Sequence, residues 1–289
     1  MKSISKLVIL LSVSVGGSAH AGDTAPVAEG PLLGQQPPGP EAEIFAPGIV
    51  NADNFESKEG MFAGDMNSFY FVKGDKDGPY RALVHLEKKG NQWHQSVALE
   101  GETEPSFSPD GKTLYFQTKY MERTGSGWTG LQSLGAPFAD LPIMRLSGAS
   151  SGTYYFDTFS PELDIPVRYS RRVGDQYEEP QELGPQFAVG IYNAHPFIAP
   201  DESYIIWDSR RDGGYGTSDL YISFRQKDGA WGPAINMGDK INSEHAENYP
   251  SVSPDGKYLF FDRRIGTGPD RTVAIYWVDA GIIEDLRPD

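Results

Sequence analysis

A turn-forming motif recurs along this chain and constrains the fold more than any other feature. The clearest copies are EPSFSPDGKTLYF (104–116) and NYPSVSPDGKYLFF (248–261), with HPFIAPDESYIIW (195–207) as a third. Two degenerate copies occur at 59–71 and 143–156. In Ser-Pro-Asp-Gly, Pro fixes φ at about −65°, Asp hydrogen-bonds the local backbone and Gly accepts positive φ. Apolar residues on both sides therefore predict a β-hairpin at each copy.

The spacing of these copies predicts how the hairpins assemble. The aromatic residues that close them are 45, 40, 51 and 54 residues apart: Phe71, Phe116, Phe156, Trp207 and Phe261. In four copies a second aromatic residue follows a Gly-containing turn and precedes Leu or Met by six residues, which predicts a second hairpin. Four-stranded units at intervals of roughly 40–50 residues are typical of propeller blades. We predict an all-β β-propeller of five four-stranded blades, with six blades as the alternative.

The last repeat lacks the outer strand that this second signal marks elsewhere. The N-terminal segment EIFAPGIVNADNFESKEG resembles residues 234–251, which span a fourth strand and the connection after it. We expect residues 44–50 to pair with the third strand of the last blade, around 274–278, and to close the ring. Closure removes the exposed edges of an open sheet. We also expect an irregular third strand in the second blade, and a different first turn in the third, where SGASSG replaces SPDG.

The N-terminal residues predict export. Lys2 and Lys6 precede an apolar run and an Ala-His-Ala cleavage site, the pattern of a Sec signal peptide over residues 1–21. Residues 22–43 are rich in Pro and Gly and predict an extended, largely unpacked leader, with a single propeller domain over 44–289. Since the chain has no cysteine, it has no lipobox and no disulfide. We expect a periplasmic or secreted protein without a membrane anchor.

Two parts of the sequence are similar to a known family. The SPDGK-x-L-x-F motif and the GGYGTSDLYISFR segment resemble the TolB-type, WD40-like propeller repeats of exported bacterial proteins. The terminal segments LGQQPPGPEAEIFAPGIV and IYWVDAGIIEDLRP resemble one whole-chain group of that family, and the resemblance covers about residues 31–288. It implies a propeller fold. It implies no particular activity, because many propellers share these hairpins.

The charge of the chain limits its partners. The formal net charge is −15, and it becomes −17 once Lys2 and Lys6 are removed with the signal peptide. Such a surface argues against nucleic acid and against anionic membranes. We expect an envelope protein or a glycan as the partner.

Propeller topology separates the tight turns from the long loops, which share the opposite face with the connections between blades. Ligand contacts generally lie on loops held by a rigid scaffold. The predicted ligand-binding residues are His195, Asp208, Arg210, Arg211, Asp262 and Arg263. The same loops also contain Glu104, Asp157, His245, Glu247 and Tyr249.

Each of these predictions has a structural alternative. His195, near the mouth of the central channel, would contact a ligand or act as a general base, or else be hydrogen-bonded within its own loop. The arginine pairs 210–211 and 263–264 would grip carboxylates through their planar guanidinium groups. Alternatively, each arginine pairs with a neighbouring aspartate: Asp208, Asp212, Asp219 or Asp262.

Complete metal and catalytic motifs are missing from the sequence. Residues 213–219 and 75–78 contain fragments of calcium loops without the full ligand set, so we expect ordinary loops, no metal and no cofactor. The chain has no G-x-S-x-G, H-E-x-x-H or P-loop. We therefore predict a binding module and assign no catalytic residue. The alternative is a carbohydrate-active enzyme, a glycoside hydrolase or polysaccharide lyase, with its site at the channel mouth.

Overall fold

The computed structural model describes residues 25–52, 55–76, 78–125, 127–164 and 166–288. Five antiparallel sheets are arranged around a central channel as the blades of a β-propeller, which confirms the predicted fold class. The predicted signal peptide, residues 1–21, lies outside the described residues. Among the residues described, no helix has the length and apolar character needed to cross a bilayer.

Each blade contributes four strand positions, from the channel outwards. The innermost strands are β3 (Glu56–Phe62), β7 (Pro105–Phe107), β12 (Ile143–Gly148), β18 (Ile191–Ile198) and β22 (Ala246–Val252). The second strands are β4 (Ser68–Gly74), β8 (Thr113–Phe116), β13 (Tyr154–Thr158), β19 (Tyr204–Arg210) and β23 (Tyr258–Ile265). The third strands are β5 (Arg81–Lys89), β9 (Lys119–Thr124), β14 (Arg168–Ser170), β20 (Asp219–Phe224) and β24 (Thr272–Asp279).

The outer positions are more varied. The outer strands are β6 (Gln92–Glu100), β10 (Gly127–Trp128) with β11 (Gln132–Ser133), β17 (Gln181–Glu182), β21 (Ile235–Asn236) and β2 (Glu43–Ile44). Three further elements are the edge strand β1 (Ala28–Glu29), the hairpin β15 (Arg172–Val173) with β16 (Gln176–Tyr177), and the short helix α1 (Gly281–Asp285).

The repeated turns join the first and second strands of each blade. Gly111 has φ +67° and donates its N–H to the Ser108 carbonyl at 2.8 Å, as the SPDG sequence predicts. In the third blade the hairpin closes one residue sooner, because the Ala149 N–H donates to the Thr153 carbonyl at 2.9 Å where Ser108 donates to Thr113, so the expected difference is confirmed. The expected irregularity of the second blade's third strand is wrong. β9 pairs with β8 without a register shift, and the fourth position is split instead.

The core consists of apolar side chains between adjacent blades. The five residues that close the repeats are all buried: Phe71, Phe116, Phe156, Trp207 and Phe261. They alternate along their strands with residues of the opposite face, so each packs between its own sheet and a neighbouring one. The spacing that predicts the blades is thus the spacing of the core.

The ring is closed by the N-terminal strand, as predicted. Residue 43 pairs with Trp277 and residue 44 with Tyr276, within the expected stretch of the third strand. The paired segment is shorter than expected, because the chain turns away at residue 46, which has φ +42°. Phe45, which is fully buried, packs between the last and first blades, with its ring centroid 4.9 Å from that of Trp277 and 4.7 Å from that of Phe69.

The prediction that residues 22–43 form an unpacked leader is wrong for residues 28–34, which pack on the first blade. Ala28 pairs with Trp93 on the outer edge of the first blade, and the Trp93 indole N–H donates to the Gly30 carbonyl at 2.8 Å. Leu33 is buried. The physical reason is the open edge of β6, whose backbone groups and indole are satisfied by this segment.

Closure can be tested on adjacent residues of the closing segment. Phe45→Ala should lower the free energy of unfolding by about 3–5 kcal/mol, because it removes a ring fully buried between two blades. Ile44→Ala, at a side chain that is 40% exposed, is the matched control and should cost less than about 1 kcal/mol. Urea denaturation measures both. Equal losses would show that the junction does not depend on Phe45.

Candidate functional site

One residue of each blade converges on the channel where the innermost strand is irregular. These five residues, called the channel ring below, are Glu59, Glu104, Arg145, His195 and Tyr249. All but Arg145 have positive φ, between 50° and 61°. Strands β3, β12, β18 and β22 shift their pairing register at this point, whereas β7 begins directly after its ring residue. Bulges of this kind re-aim a side chain, and they are frequent beside functional sites.

Buried carboxylates bind the backbone N–H groups that these irregularities leave outside the sheet. Asp157 accepts the N–H of Arg145 at 2.7 Å and that of His195 at 2.6 Å. Asp262 accepts the N–H of Glu59 through both oxygens, at 2.9 and 3.0 Å. An unpaired buried donor would cost about 1–3 kcal/mol. These aspartates therefore hold the ring backbone in place and join neighbouring blades.

Ring side chains also contact one another across the channel. His195 Nδ1 lies 2.7 Å from Asp208 Oδ1, and the His195 ring stacks on the Tyr249 ring with centroids 3.8 Å apart. The Tyr249 hydroxyl donates to Glu104 Oε1 at 2.9 Å. Glu59 Oε2 accepts the backbone N–H of Glu104 at 2.7 Å. These contacts link side chains of the first, second, fourth and fifth blades.

Burial and neighbouring charges together determine the protonation of two ring residues. Burial, and then the charge of Glu59, raises the pKa of Glu104 to about 8. Burial by itself lowers the pKa of His195, but the adjacent Asp208 carboxylate outweighs it and raises that pKa to about 9. Near neutral pH the channel therefore holds a protonated carboxyl group and an imidazolium.

Arg145 is the ring residue with the fewest partners. Its side chain is 2% exposed, and its guanidinium carbon lies 5.8 Å from the centroid of the Tyr249 ring. Within the described residues, its Nε and Nη1 atoms have no hydrogen-bond acceptor and its guanidinium forms no salt bridge. Buried charges are normally paired. Arg145 thus presents unsatisfied donors inside the channel.

Two cavities approach the ring from opposite faces. The mouth cavity, on the long-loop face, has a volume of about 220 Å³. Its lining combines polar, acidic and cationic side chains: Tyr192, Asn248, Tyr249, Glu56, Asp262, Lys58, Arg264 and Arg271. The turn-side cavity, on the face of the tight turns, has a volume of about 160 Å³ and is lined by residues of all five blades, including Arg145. Tyr249 lines the first cavity and Arg145 the second, so the ring lies between them.

The structure brings three of the predicted site residues to the channel. His195 and Asp208 form the buried pair described above, and Asp262 lies behind the ring. Arg210 lies beside the mouth, with its guanidinium carbon 5.0 Å from the centroid of the Tyr192 ring. Tyr192 in turn packs edge-on against His195.

Arg211 and Arg263 are held apart from the channel. Arg211 donates to Ser209 Oγ at 3.1 Å and to a backbone carbonyl, and it covers the Tyr221 ring. Arg263 pairs with Glu247 at 2.7 Å. Neither uses the aspartates that the sequence offered as alternative partners, and three of these, Asp208, Asp219 and Asp262, already accept hydrogen bonds elsewhere. Asp219, for example, accepts the N–H groups of residues 215 and 216.

Sequence reasoning did not select Glu59 or Arg145, although a signal for both exists. Each ring residue lies 12 residues before the aromatic residue that closes its repeat, or 11 in the third blade with its shorter turn. Alignment of the repeats on the closing aromatics would have collected the whole ring. Among the described residues, no group of three His, Asp or Glu side chains is arranged to hold a metal ion.

No protein-family profile matches the chain, and no curated protein sequence matches it. Among solved structures, it is similar to the catalytic domain of an α-L-arabinofuranosidase from Coprinopsis cinerea, at 7% identity and a TM-score of 0.52, over 84% of this chain and 97% of that one. It is also similar to TolB from Acinetobacter baumannii, at 13% identity and a TM-score of 0.48, over 80% of this chain and 59% of that one. The third is an endo-arabinase from Bacteroides thetaiotaomicron, at 12% identity and a TM-score of 0.49, over 83% of this chain and 96% of that one.

The likeness to the arabinofuranosidase domain, at such low identity, shows the propeller fold alone. The chain spans 59% of the length of the TolB chain. Membership of the TolB-type group of exported proteins stays a prediction from the repeats. The protein is a β-propeller with a buried polar ring, and its function must be argued from its own residues.

The protonated ring predicts how stability depends on pH. Glu104 keeps its proton in the folded state up to about pH 8, and His195 keeps its own up to about pH 9. Their unfolded values are 4.5 and 6.5, so their stabilisation is complete below those values and is lost as pH rises through the folded pKa values. Between about pH 6.5 and 8 both losses overlap. Urea denaturation from pH 5 to 9 should show a falling free energy of unfolding.

Replacing Glu104 by an uncharged residue isolates its contribution to the pH dependence of the free energy of unfolding. Glu104→Gln removes one titrating group and should flatten the fall between pH 5 and 8. Glu179→Gln, at an exposed position, is the control and should leave the profile unchanged. A Glu104→Gln profile as steep as that of the unmodified protein would contradict the assignment.

Proposed function

We propose that the protein is an exported binding module that takes a carboxylate-bearing glycan, such as a uronic acid oligosaccharide, at the channel mouth. The observation that carries this proposal is a set of cationic side chains at the channel mouth that form no salt bridge within the described residues. They stand out because the chain as a whole has a formal net charge of −15. The mouth cavity, with a volume of about 220 Å³, has room for one sugar unit of a longer chain.

Three cations surround this mouth without an ionic partner. Lys58 and Arg264 line the cavity, and Arg210 lies beside Tyr192 at its rim. Within the described part of the chain, none of the three forms a salt bridge, whereas nearby Arg271 pairs with Glu56 at 3.0 Å. An arginine fork binds a carboxylate through two parallel hydrogen bonds. Free cations grouped on an acidic protein favour an anionic ligand.

Aromatic and amide groups complete the mouth. Tyr192 and Tyr249 are both half-buried and line the cavity, and they offer flat apolar surface with a polar tip. Asn248 Nδ2 donates to Asp208 at 2.8 Å, which fixes the amide at the cavity wall. A few oriented polar groups among aromatic side chains are typical of sites that bind small polar units.

The proposal predicts charge-dependent binding that calorimetric titration with an oligogalacturonate measures. The double variant Lys58→Ala, Arg264→Ala should weaken affinity at least tenfold, and added salt should weaken binding to the unmodified protein. Lys112→Ala, Lys227→Ala removes the same charge from exposed positions on the tight-turn face and is the control. A glutamate-rich peptide and a methyl-esterified oligogalacturonate complete the comparison. Binding of the peptide alone, or equal loss in both double variants, would overturn the glycan proposal.

A second candidate function, a carbohydrate-active enzyme, is favoured by one observation. Glu104 is a buried carboxyl group whose pKa is raised to about 8, and a protonated carboxyl group beside a second carboxylate is what glycoside hydrolysis uses. Against it, Glu59 is 1% exposed and Glu104 is 9% exposed, so neither carboxyl group is open to a sugar.

Product analysis separates binding from catalysis. We expect the oligosaccharide to stay intact after prolonged incubation with the protein, as judged by mass spectrometry. Shortened or unsaturated products that disappear with Glu104→Gln, while binding persists, would establish the enzyme instead.

A further inference from the structure

The turn-side cavity is separate from the mouth and has its own chemistry. It reaches the face of the tight turns at Pro109 and Pro254, both exposed, and ends inside the channel at Arg145. Its volume is about 160 Å³. A cavity of roughly 150 Å³ holds a molecule the size of benzene. The cavity therefore has room for one small organic ligand.

The inner end of this cavity carries a charge without a counter-ion. Arg145 is 2% exposed, and its Nε and Nη1 atoms have no acceptor within the described residues. Removing a guanidinium from water without pairing it costs several kcal/mol. An anion bound at the inner end would supply the missing acceptors.

The nearby carboxyl groups do not supply the hydrogen-bond acceptors that Arg145 lacks. Burial raises the pKa of Glu104 to about 8, so this carboxyl group is protonated near neutral pH, and Asp262 is engaged through both oxygens with the N–H of Glu59. Asp157 is engaged with two backbone N–H groups. The positive charge of Arg145 is thus available to an incoming anion.

The walls between Arg145 and the opening are largely apolar. Phe107, Phe197 and Tyr204 line the cavity and are half-buried, and Ile198 is buried. The Ser147 hydroxyl also lines it and accepts the N–H of Ile198 at 3.1 Å, which leaves its own hydrogen free to donate. A fully hydrated ion such as sulfate gains nothing from aromatic walls, whereas an anion with an apolar group does.

We propose that the turn-side cavity binds a small carboxylate bearing an aromatic or aliphatic group, with the carboxylate on Arg145 and the apolar group between Phe107 and Phe197. The carboxylate pairs with the Arg145 guanidinium, which lines the cavity and whose Nε and Nη1 lack partners within the described residues. The same chemistry occurs in a free aryl carboxylic acid and in the C-terminal carboxylate of a peptide ending in phenylalanine. This site is independent of the glycan proposed for the mouth.

The first test compares isosteric ligands on the unmodified protein by calorimetric titration. Benzoate should bind at least tenfold more tightly than benzamide, which has the same shape without the charge, and more tightly than inorganic sulfate. The peptide Gly-Gly-Phe with a free C terminus, compared with its amide, shows whether a peptide end is preferred over the free acid. If neither benzoate nor the free peptide binds, or if the neutral forms or sulfate bind as well, the proposal is wrong.

The second test uses matched arginine variants. Arg145→Gln should abolish benzoate binding, and Arg264→Gln, the same change at the mouth, should leave it unchanged. For the oligogalacturonate, Arg264→Gln should weaken binding and Arg145→Gln should leave it unchanged, so failure at one site is distinguishable from failure at the other. If Arg145→Gln does not fold, the test is made on the unmodified protein by NMR. Benzoate should then change the chemical shifts of the Phe197 ring. Retained affinity in Arg145→Gln, or unshifted Phe197 signals, would overturn the assignment.

Discussion

The architecture depends on one type of interaction, a buried aspartate that accepts backbone N–H groups at the bulges of the innermost strands. Asp157 accepts two such groups, from the third and fourth blades, and Asp262 connects the fifth blade to the first. Because an unpaired buried donor is costly, these bulges are stable only while an aspartate supplies the acceptor, and for Glu59 and His195 that aspartate belongs to the neighbouring blade. The blades are therefore coupled at the channel as well as through their apolar faces.

This coupling also explains why the ring can have unusual chemistry. Positive φ at four ring positions turns their side chains toward one another. Burial then raises the pKa of Glu104, while the neighbouring carboxylates, Asp208 first, raise that of His195 against the effect of burial. Arg145 stays charged with unsatisfied donors. The bulged inner strands thus concentrate polar groups inside the channel, where water is scarce. Hydrogen bonds to a small ligand are stronger in such a low-dielectric environment.

The two ends of the channel differ in character for the same topological reason. The strand ends that adjoin the long connections on one face bring Lys58, Arg210 and Arg264 to the mouth, where the carboxyl groups of Glu56 and Asp262 are engaged by Arg271 and by a backbone N–H. Tight SPDG turns on the other face leave little room for polar loops, so the apolar inner residues of the strands line the turn-side cavity. One channel thus offers a polar, cationic entrance and a narrow aromatic one.

The sequence by itself determined the fold, because turn chemistry and the burial of a closing aromatic residue are local properties that repeat at blade spacing. It also located the closing strand near Tyr276 and Trp277 and drew attention to His195 and Asp208. It misjudged residues 28–34, whose packing depends on the edge of a strand some 60 residues away. Only the tertiary structure decided which charges are free. Arg263 and Arg264 are adjacent in sequence, yet the first is paired with Glu247, which lies opposite it on the adjacent strand, and the second lines the mouth, because successive residues of a strand point to opposite faces of the sheet.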